Sequence, residues 1–423
     1  MKAIVIGSGL GGLLSAAKLS GSGYEVEVFE RLPITGGRFT NIDIKGYQLS
    51  TGALHMIPHG PTGPLAQLLR EVNADVTIER EDGMAFMRIF EDIGNNIYED
   101  VPFAKFGKVF SLWNRIKLAF LMITTRKNTP KNCSFAEWLS KHLDTPLAYQ
   151  MADAFCGWAL SLKAEDVPAE EVFEIFENLY RYGGPGVPIG GCKAVTDALA
   201  DVVRNNGGTI HTEKEVTEII TEDGKAIGVI IDGKQHPADL VISNIGHHYT
   251  NDLCKGEETD AEYQKYLDRV KAIKPSAGAK ICLAASEPLI GHGGVLFTPS
   301  ARRVNGINEV TNIDPKLAPQ GKHLVMAHQT TKWERIPYLE DEIDLGIKDL
   351  EEIFAGKDYE IILTQSHYNG WPVNRSSSGS DIGNTTPIEG LYVVGDGAKG
   401  KGGIEVEGIA LGVKNTMNLI LGN

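Results

Sequence analysis

The sequence predicts an α/β protein in which a doubly wound, Rossmann-like domain carries a discontinuous, mixed α+β second domain. Three observations predict it. A glycine fingerprint lies between an apolar strand and a helix within residues 2–20. A second apolar strand, running into Gly395-Asp396, lies near the other end of the chain. Between them run helical patterns that stop at Gly183-Gly184-Pro185-Gly186, where the chain is expected to cross between domains.

The elements follow in order. Lys2–Ile6 is a β-branched apolar run ending in glycines, the pattern of a buried parallel strand. Leu13, Ala16, Ala17 and Leu19 recur at helical spacing, and Gly21 to Gly23 stops that helix. Glu25–Glu30 reads as the second strand of a β-α-β unit. Helical patterns then dominate from Pro64 to Tyr182. They include Leu65–Val72, a basic-flanked amphipathic run over Phe106–Thr125, and Ser134–Leu143, where Ser134 and Glu137 make a capping box. A helix is expected around Ala194–Val203. Strand-like runs follow at Thr209–Ile220, Ala226–Ile231 and Leu240–Ser243, with Asp223-Gly224 and Asp232-Gly233 as hairpin turns between them. Strands at Ala279–Ala284, Gly294–Phe297 and His323–His328, a helix over Glu340–Phe354, a strand at Leu391–Val394 and a helix over Glu407–Leu421 complete the chain. Residues 1–58, 183–248 and 365–423 are assigned to the doubly wound domain, and 59–182 and 249–364 to the second.

Composition narrows the class. A chain of 423 residues exceeds one ordinary core and suggests two or three domains. Its net charge of −14 argues against nucleic acid as a partner, because phosphate recognition needs a basic stripe. The five cysteines are odd in number and none forms C-x-x-C, which fits a reducing, cytoplasmic setting. The N-terminus runs straight into a structural motif, so no signal peptide is read. The apolar stretch Leu118–Ile123 is too short to span a bilayer. His247-His248 has no cysteine or carboxylate at ligand spacing, so no metal is expected, and no G-x-S-x-G nucleophile motif occurs.

The chemistry begins with Gly7-Ser8-Gly9-Leu10-Gly11-Gly12. At G-x-G-x-x-G spacing, Gly7 permits the turn out of the strand. Gly9 lets backbone approach a pyrophosphate, and Gly12 lets the helix pack on the sheet. The helix N-terminus offers free N–H groups to the phosphates. Glu30, about twenty residues on, is placed to hydrogen-bond a ribose hydroxyl. Arg31 beside it could instead hold a 2′-phosphate, so the fingerprint alone does not separate FAD from NADP. Thr35-Gly36-Gly37-Arg38 and Ser50-Thr51-Gly52-Ala53-Leu54 do separate them. A simple NAD dehydrogenase would run into another α/β crossover here, whereas glycine loops lay backbone against a larger cofactor, with Arg38 as a phosphate clamp. At the far end, Asp396 could accept from ribityl hydroxyls or fix the loop. The following helix start could aim N–H groups at the flavin edge that gains negative charge when N5 takes a hydride.

Together these segments resemble the flavin-containing amine oxidase and phytoene desaturase superfamily. The resemblance rests on VIGSGLGGL with FERLPITGGRF, on VPIGGCKAVTDALADVVRNNGG with EVTEI and ADLVISNIG, and on GLYVVGDG with GIEVEGIALG. It implies FAD, held non-covalently because no cysteine follows the last glycine loop. It implies that Glu30 takes the adenosine ribose and that Arg31 and Arg38 lie along the adenine and pyrophosphate side. Val216 would meet adenine through its backbone, Gly52 and Ala53 would lie near the isoalloxazine, and Val406 would offer its N–H to flavin O2. Lys280 is similar in position to the lysine that amine oxidases hold through water to flavin N5. The alternative is a strand-edge lysine facing solvent. Trp371 is placed like the aromatic that lines the flavin face. The stretch Gly395–Gly400 lacks the His and Pro of the bacterial phytoene desaturase loop, which speaks against a strict phytoene desaturase.

The implied activity is hydride transfer to the flavin from a largely apolar substrate, such as a carotenoid or another isoprenoid. Amine oxidation with oxygen, assisted by Lys280, is the alternative. Rab GDP-dissociation inhibitors are similar in fold and bind prenylated proteins without flavin, but such a chain has no need of Gly7, Gly9, Gly12, Glu30 and Asp396 together. Phe106–Lys117 mixes apolar and basic residues and reads either as a membrane-surface contact or as packing within a helical cap.

Overall fold

The computed structural model describes residues 1–81, 85–92, 97–143, 145–254, 261–368 and 380–422. At its centre is a five-stranded sheet in the order Leu391–Val393, Leu240–Ser243, Lys2–Ile6, Glu25–Phe29, Thr209–His211, parallel throughout. The strand Lys2–Ile6 is central and buries both faces, because successive side chains point to opposite sides. Ala3 and Val5 join a core with Leu13, Leu14, Leu199 and Val413 from the helices Leu10–Gly21, Gly191–Asn205 and Val406–Leu421. Ile4 and Ile6 join another with Ile219 and Val229 of a three-stranded antiparallel sheet, Val216–Glu222, Lys225–Ile231 and Lys234–Pro237.

Two expectations are corrected here. The run Thr209–Ile220 is two strands in two sheets: Thr209–His211 edges the parallel sheet, and Val216–Glu222 opens the antiparallel one. Asp223-Gly224 and Asp232-Gly233 do form hairpin turns, with positive φ at all four residues. The second turn, however, leads into Lys234–Pro237, while Leu240–Ser243 enters the parallel sheet beside Lys2–Ile6. Local alternation cannot show a chain changing sheets.

The second layer is a seven-stranded sheet in the order Tyr359–His367, Gly278–Ala285, His323–Thr330, Val304–Glu309, Val295–Phe297, Ala85–Asp92, Ile97–Pro102. Its first strand runs three residues past the domain boundary expected at 364. Ala85–Asp92 and Ile97–Pro102 lie where the sequence predicts helices. The alternation of Ala85–Asp92 is hidden by Arg88, a charged residue that is buried nonetheless. Its guanidinium forks onto Asp100, Nε to Oδ1 at 2.8 Å and Nη2 to Oδ2 at 2.7 Å.

One side of this sheet carries four helices: Leu112–Lys127, Phe135–His142, Pro146–Leu160 and Ala169–Tyr182. Their cluster includes Leu121, Trp138, Cys156, Phe173 and Ile404. The expected capping box forms, with both Ser134–Glu137 hydrogen bonds present. The chain passes from one layer to the other near Ile57 and again near Gly186, and the two passages pair, Ile57 N to Gly186 O at 2.8 Å and Gly186 N to Ile57 O at 2.9 Å.

Candidate cofactor and substrate cleft

Three glycine segments, far apart in sequence, meet at the carboxyl end of the parallel sheet. Gly7 takes φ +88° as the chain leaves Lys2–Ile6. A side chain on Gly12 would strike the Gly7 carbonyl, so only hydrogen lets the helix Leu10–Gly21 sit against that turn. Gly9 is the N-cap of this helix, with no side chain capping it and no acid in the first turn. It bridges to Gly36, whose N–H donates to Ser8 O at 2.9 Å, and Gly37 stands beside it. From the other end of the chain, Gly395 Cα would lie 2.7 Å from any Cβ on Gly11. The side chain of Asn244 fills the space among Gly9, Gly11 and Gly395. Asn244 directly follows the strand Leu240–Ser243 and was not singled out from the sequence. Its signal was there, a polar residue closing an apolar parallel strand, but the contact with glycines 150 and more residues away was not.

Glu30 is buried at the end of Glu25–Phe29. Its carboxylate accepts from Ser8 N at 2.8 Å, Ser8 Oγ at 2.9 Å and Leu32 N at 3.0 Å, tying it to the fingerprint. Leu10 is buried behind the loop, and Arg31 is exposed beside Glu30. Val216 packs its side chain into the cluster that contains Phe29. Arg38 forms an ion pair with Asp396, joining the second segment to the third. Lys399 adds its amine to Asp396 at 3.2 Å, and its backbone N–H donates to Asp381 at 3.0 Å, a carboxyl raised above the usual range by burial.

Beyond Arg38 and Asp396 opens a cleft. Gly52 and Ala53 form one wall and Val406 another; Phe39, Leu54, Met56, Trp158 and Ile404 add apolar surface. Val406 starts the helix Val406–Leu421, whose N-cap, Glu405, has φ +45° and makes no side-chain cap. Lys280 lies on the floor. Its strand, Gly278–Ala285, is interior, flanked by His323–Thr330 and Tyr359–His367, and the residue is buried, so the solvent-facing alternative is corrected. The amine donates to Ser50 O at 2.5 Å, Gly52 O at 2.6 Å and Ser50 Oγ at 3.3 Å. Burial pulls its pKa down, while Cys282 and Cys192 oppose this. Gln365, its cross-strand neighbour, donates to Thr51 O at 2.9 Å. Lys280 and Gln365 thus hold the Ser50–Gly52 strip from beneath. Trp371 lies outside the described residues.

These residues fit a flavin dinucleotide. Two uncapped helix N-termini, at Gly9 and at Glu405, end at the same junction as a cation, and a helix N-terminus favours anionic groups and electron-rich oxygens. The apolar walls beyond them suit a flat ring system and an apolar guest.

One acid beside the cleft has a measurable signature. Glu407, fully buried, accepts from His59 N at 3.0 Å and Leu65 N at 2.8 Å, so it pins the helix Pro64–Glu71 to Val406–Leu421. Burial, opposed by these two hydrogen bonds, raises its pKa to about 7 from the ordinary 4.5. A raised carboxyl gives stability that is complete below 4.5 and is lost as pH rises through 7. The loss amounts to on the order of 3 kcal/mol. Denaturant unfolding across that range should show this slope, and Glu407→Gln should flatten it.

The family model for flavin containing amine oxidoreductases matches residues 10–408. An uncharacterised protein of Methanocaldococcus jannaschii is 45% identical over 422 residues, covering 99% of each chain. The solved structure of an oxidoreductase from Methanosarcina mazei superposes with a TM-score of 0.96 at 56% identity, covering 99% of this chain and all of the other. Prolycopene isomerase 1 of an Oncidium hybrid cultivar is 25% identical over 471 residues, covering 93% of this chain and 79% of its own.

Proposed function

Because the chain belongs to the flavin containing amine oxidoreductase family, we propose that it binds FAD without a covalent link and uses it to oxidise a largely apolar, isoprenoid-type substrate in the cleft. Bound there, the flavin supplies a two-electron acceptor. Residues 1–58, 183–248 and 365–423 would grip the cofactor, and 59–182 with 249–364 would shape the substrate side. Glu30 would hold the ribose and the Gly9 helix start the diphosphate. Arg38 and Asp396 would mark the passage to the ring, and the Val406 N–H and the Gly52-Ala53 strip would border it. Five free cysteines favour a reducing compartment such as the cytoplasm.

The carrying observation is the wall of the cleft. Phe39, Leu54, Met56, Trp158, Ile404 and Ile409 converge on it. Asp396 there is already paired with Arg38 and Lys399, so an ammonium would compete with two resident cations for it. The relative named for prolycopene, a carotenoid, supports the same substrate class. Nothing in the comparisons supports a flavin-free prenyl-protein carrier.

The test is anaerobic bleaching of the flavin against a panel of isoprenoids and amines. Bleaching by a carotenoid-type polyene is expected; bleaching by amines alone would overturn the substrate class. Trp158, which lines the cleft and stands edge-on to Phe297 at 5.5 Å, supplies a second reading. Trp158→Ala should raise KM for the apolar substrate by about tenfold, roughly 1.4 kcal/mol of lost contact, with little change in kcat.

A further inference from the structure

One helix of the cap presents its apolar side outward. Leu112–Lys127 begins at an Ser111 N-cap and runs along the edge of the helical cluster. Among its described side chains, Leu121 joins that cluster, Leu118 packs against it, and Thr125 is buried on the same side. Leu112, Trp113, Ile116, Phe120 and Ile123 are all exposed, Trp113 to 75% and Phe120 to 65%. At helical spacing these five fall within an arc of roughly 100°, opposite the three inward residues. Arg115 and Lys117, both exposed, flank the stripe on either side.

The charge around it is as uneven as the hydrophobicity. Between residues 101 and 136 stand Lys105, Lys108, Arg115, Lys117, Arg126, Lys127 and Lys131, and no Asp or Glu at all. The chain as a whole carries −14. A stretch of +7 on so acidic a protein is a local patch, complementary to a negative surface. An apolar stripe bordered by cations that can reach back to headgroups is the design of a helix lying in a bilayer interface. No described helix is long and apolar enough to cross a membrane.

We propose that Leu112–Lys127 docks this protein on an anionic lipid surface, with the five apolar side chains in the acyl boundary and Arg115 and Lys117 at headgroup level. The cap that carries the helix also supplies Trp158 to the cleft wall and packs against Ile404, which lines the same wall. Docking therefore brings the helical wall of the cleft to the lipid, from which an apolar molecule can be drawn.

Co-sedimentation with vesicles tests this without any substrate, so its outcome is independent of the proposed activity. The full chain is mixed with vesicles of phosphatidylcholine alone, or with about a third phosphatidylglycerol, at low and high salt. At least tenfold tighter binding to the anionic vesicles is expected, weakening as salt rises. Ile116→Asp with Phe120→Asp, and separately Arg115→Glu with Lys117→Glu, should each lower it at least tenfold. Their heat melts should match the parent, because all four side chains are exposed. Binding unchanged in the variants, or absent from anionic vesicles, would overturn the proposal. So would a stable dimer that the Ile116→Asp/Phe120→Asp pair dissociates while vesicles capture nothing, which would make the stripe a contact between copies.

Discussion

Gly12→Val is expected to give a protein that keeps less than one-tenth of the parent's flavin after desalting. Any Cβ at this position strikes the Gly7 carbonyl, which is backbone and cannot rotate aside. The helix Leu10–Gly21 must then move off the turn, and its N-terminus no longer points where the fingerprint places it. Overpacking of this kind costs about 1–3 kcal/mol, so a lower melting temperature accompanies the loss of colour. Gly21→Ala separates the two effects. At the other end of the same helix a Cβ meets only Asn206 Nδ2, at 3.6 Å, and alanine there should be neutral or stabilising by roughly 0.5–1 kcal/mol. Flavin absorbance and heat melts on both variants check this. Full flavin content in Gly12→Val would remove the role given to the glycine turn.

The second large effect concerns Lys280. Lys280→Met keeps the apolar stem but withdraws the amine from Ser50 O and Gly52 O. Two buried carbonyls lose their donor, at about 1–3 kcal/mol each, so a net destabilisation of about 2–4 kcal/mol is expected. Its pH dependence has a definite sign. Burial holds the folded-state pKa of Lys280 below the ordinary 10.5. The lysine's contribution is therefore complete above 10.5 and is lost as pH falls through the folded value. Methionine does not titrate, so the stability gap between parent and variant should narrow as pH is lowered. A gap independent of pH would mean that the lysine is not shifted. Because the strip it holds includes Gly52 at the cleft wall, reoxidation of the reduced variant by oxygen should also slow, by about tenfold or more. A variant that reoxidises as fast as the parent would separate the strip that Lys280 holds from the reoxidation step.

Much of the fold and part of the cleft were legible in the sequence, for reasons that differ by residue. The fingerprint announces itself because glycines are demanded at short range: Gly12 by a carbonyl five residues away, Gly7 by its own φ. The capping box and the two Asp-Gly turns are likewise local. Lys280 stood out because a lysine in an apolar strand is costly without partners, although its partners, two backbone carbonyls some 230 residues earlier, were invisible. Asn244 and Glu407 gave no local sign of the partners they meet. One fills a gap between glycines of two other segments, and the other satisfies N–H groups at residues 59 and 65.

What the sequence by itself determined is the set of short-range demands: which turns need glycine, which runs alternate, where an acid follows a strand. What only the tertiary structure decided is which of those runs share a sheet and which polar atoms meet. Leu240–Ser243 reads equally well as a hairpin strand or a parallel one, and Arg88 reads as surface until Asp100 is seen beside it. Hydrogen bonding and burial are settled between segments from a dozen to hundreds of residues apart, and local periodicity carries no record of that pairing.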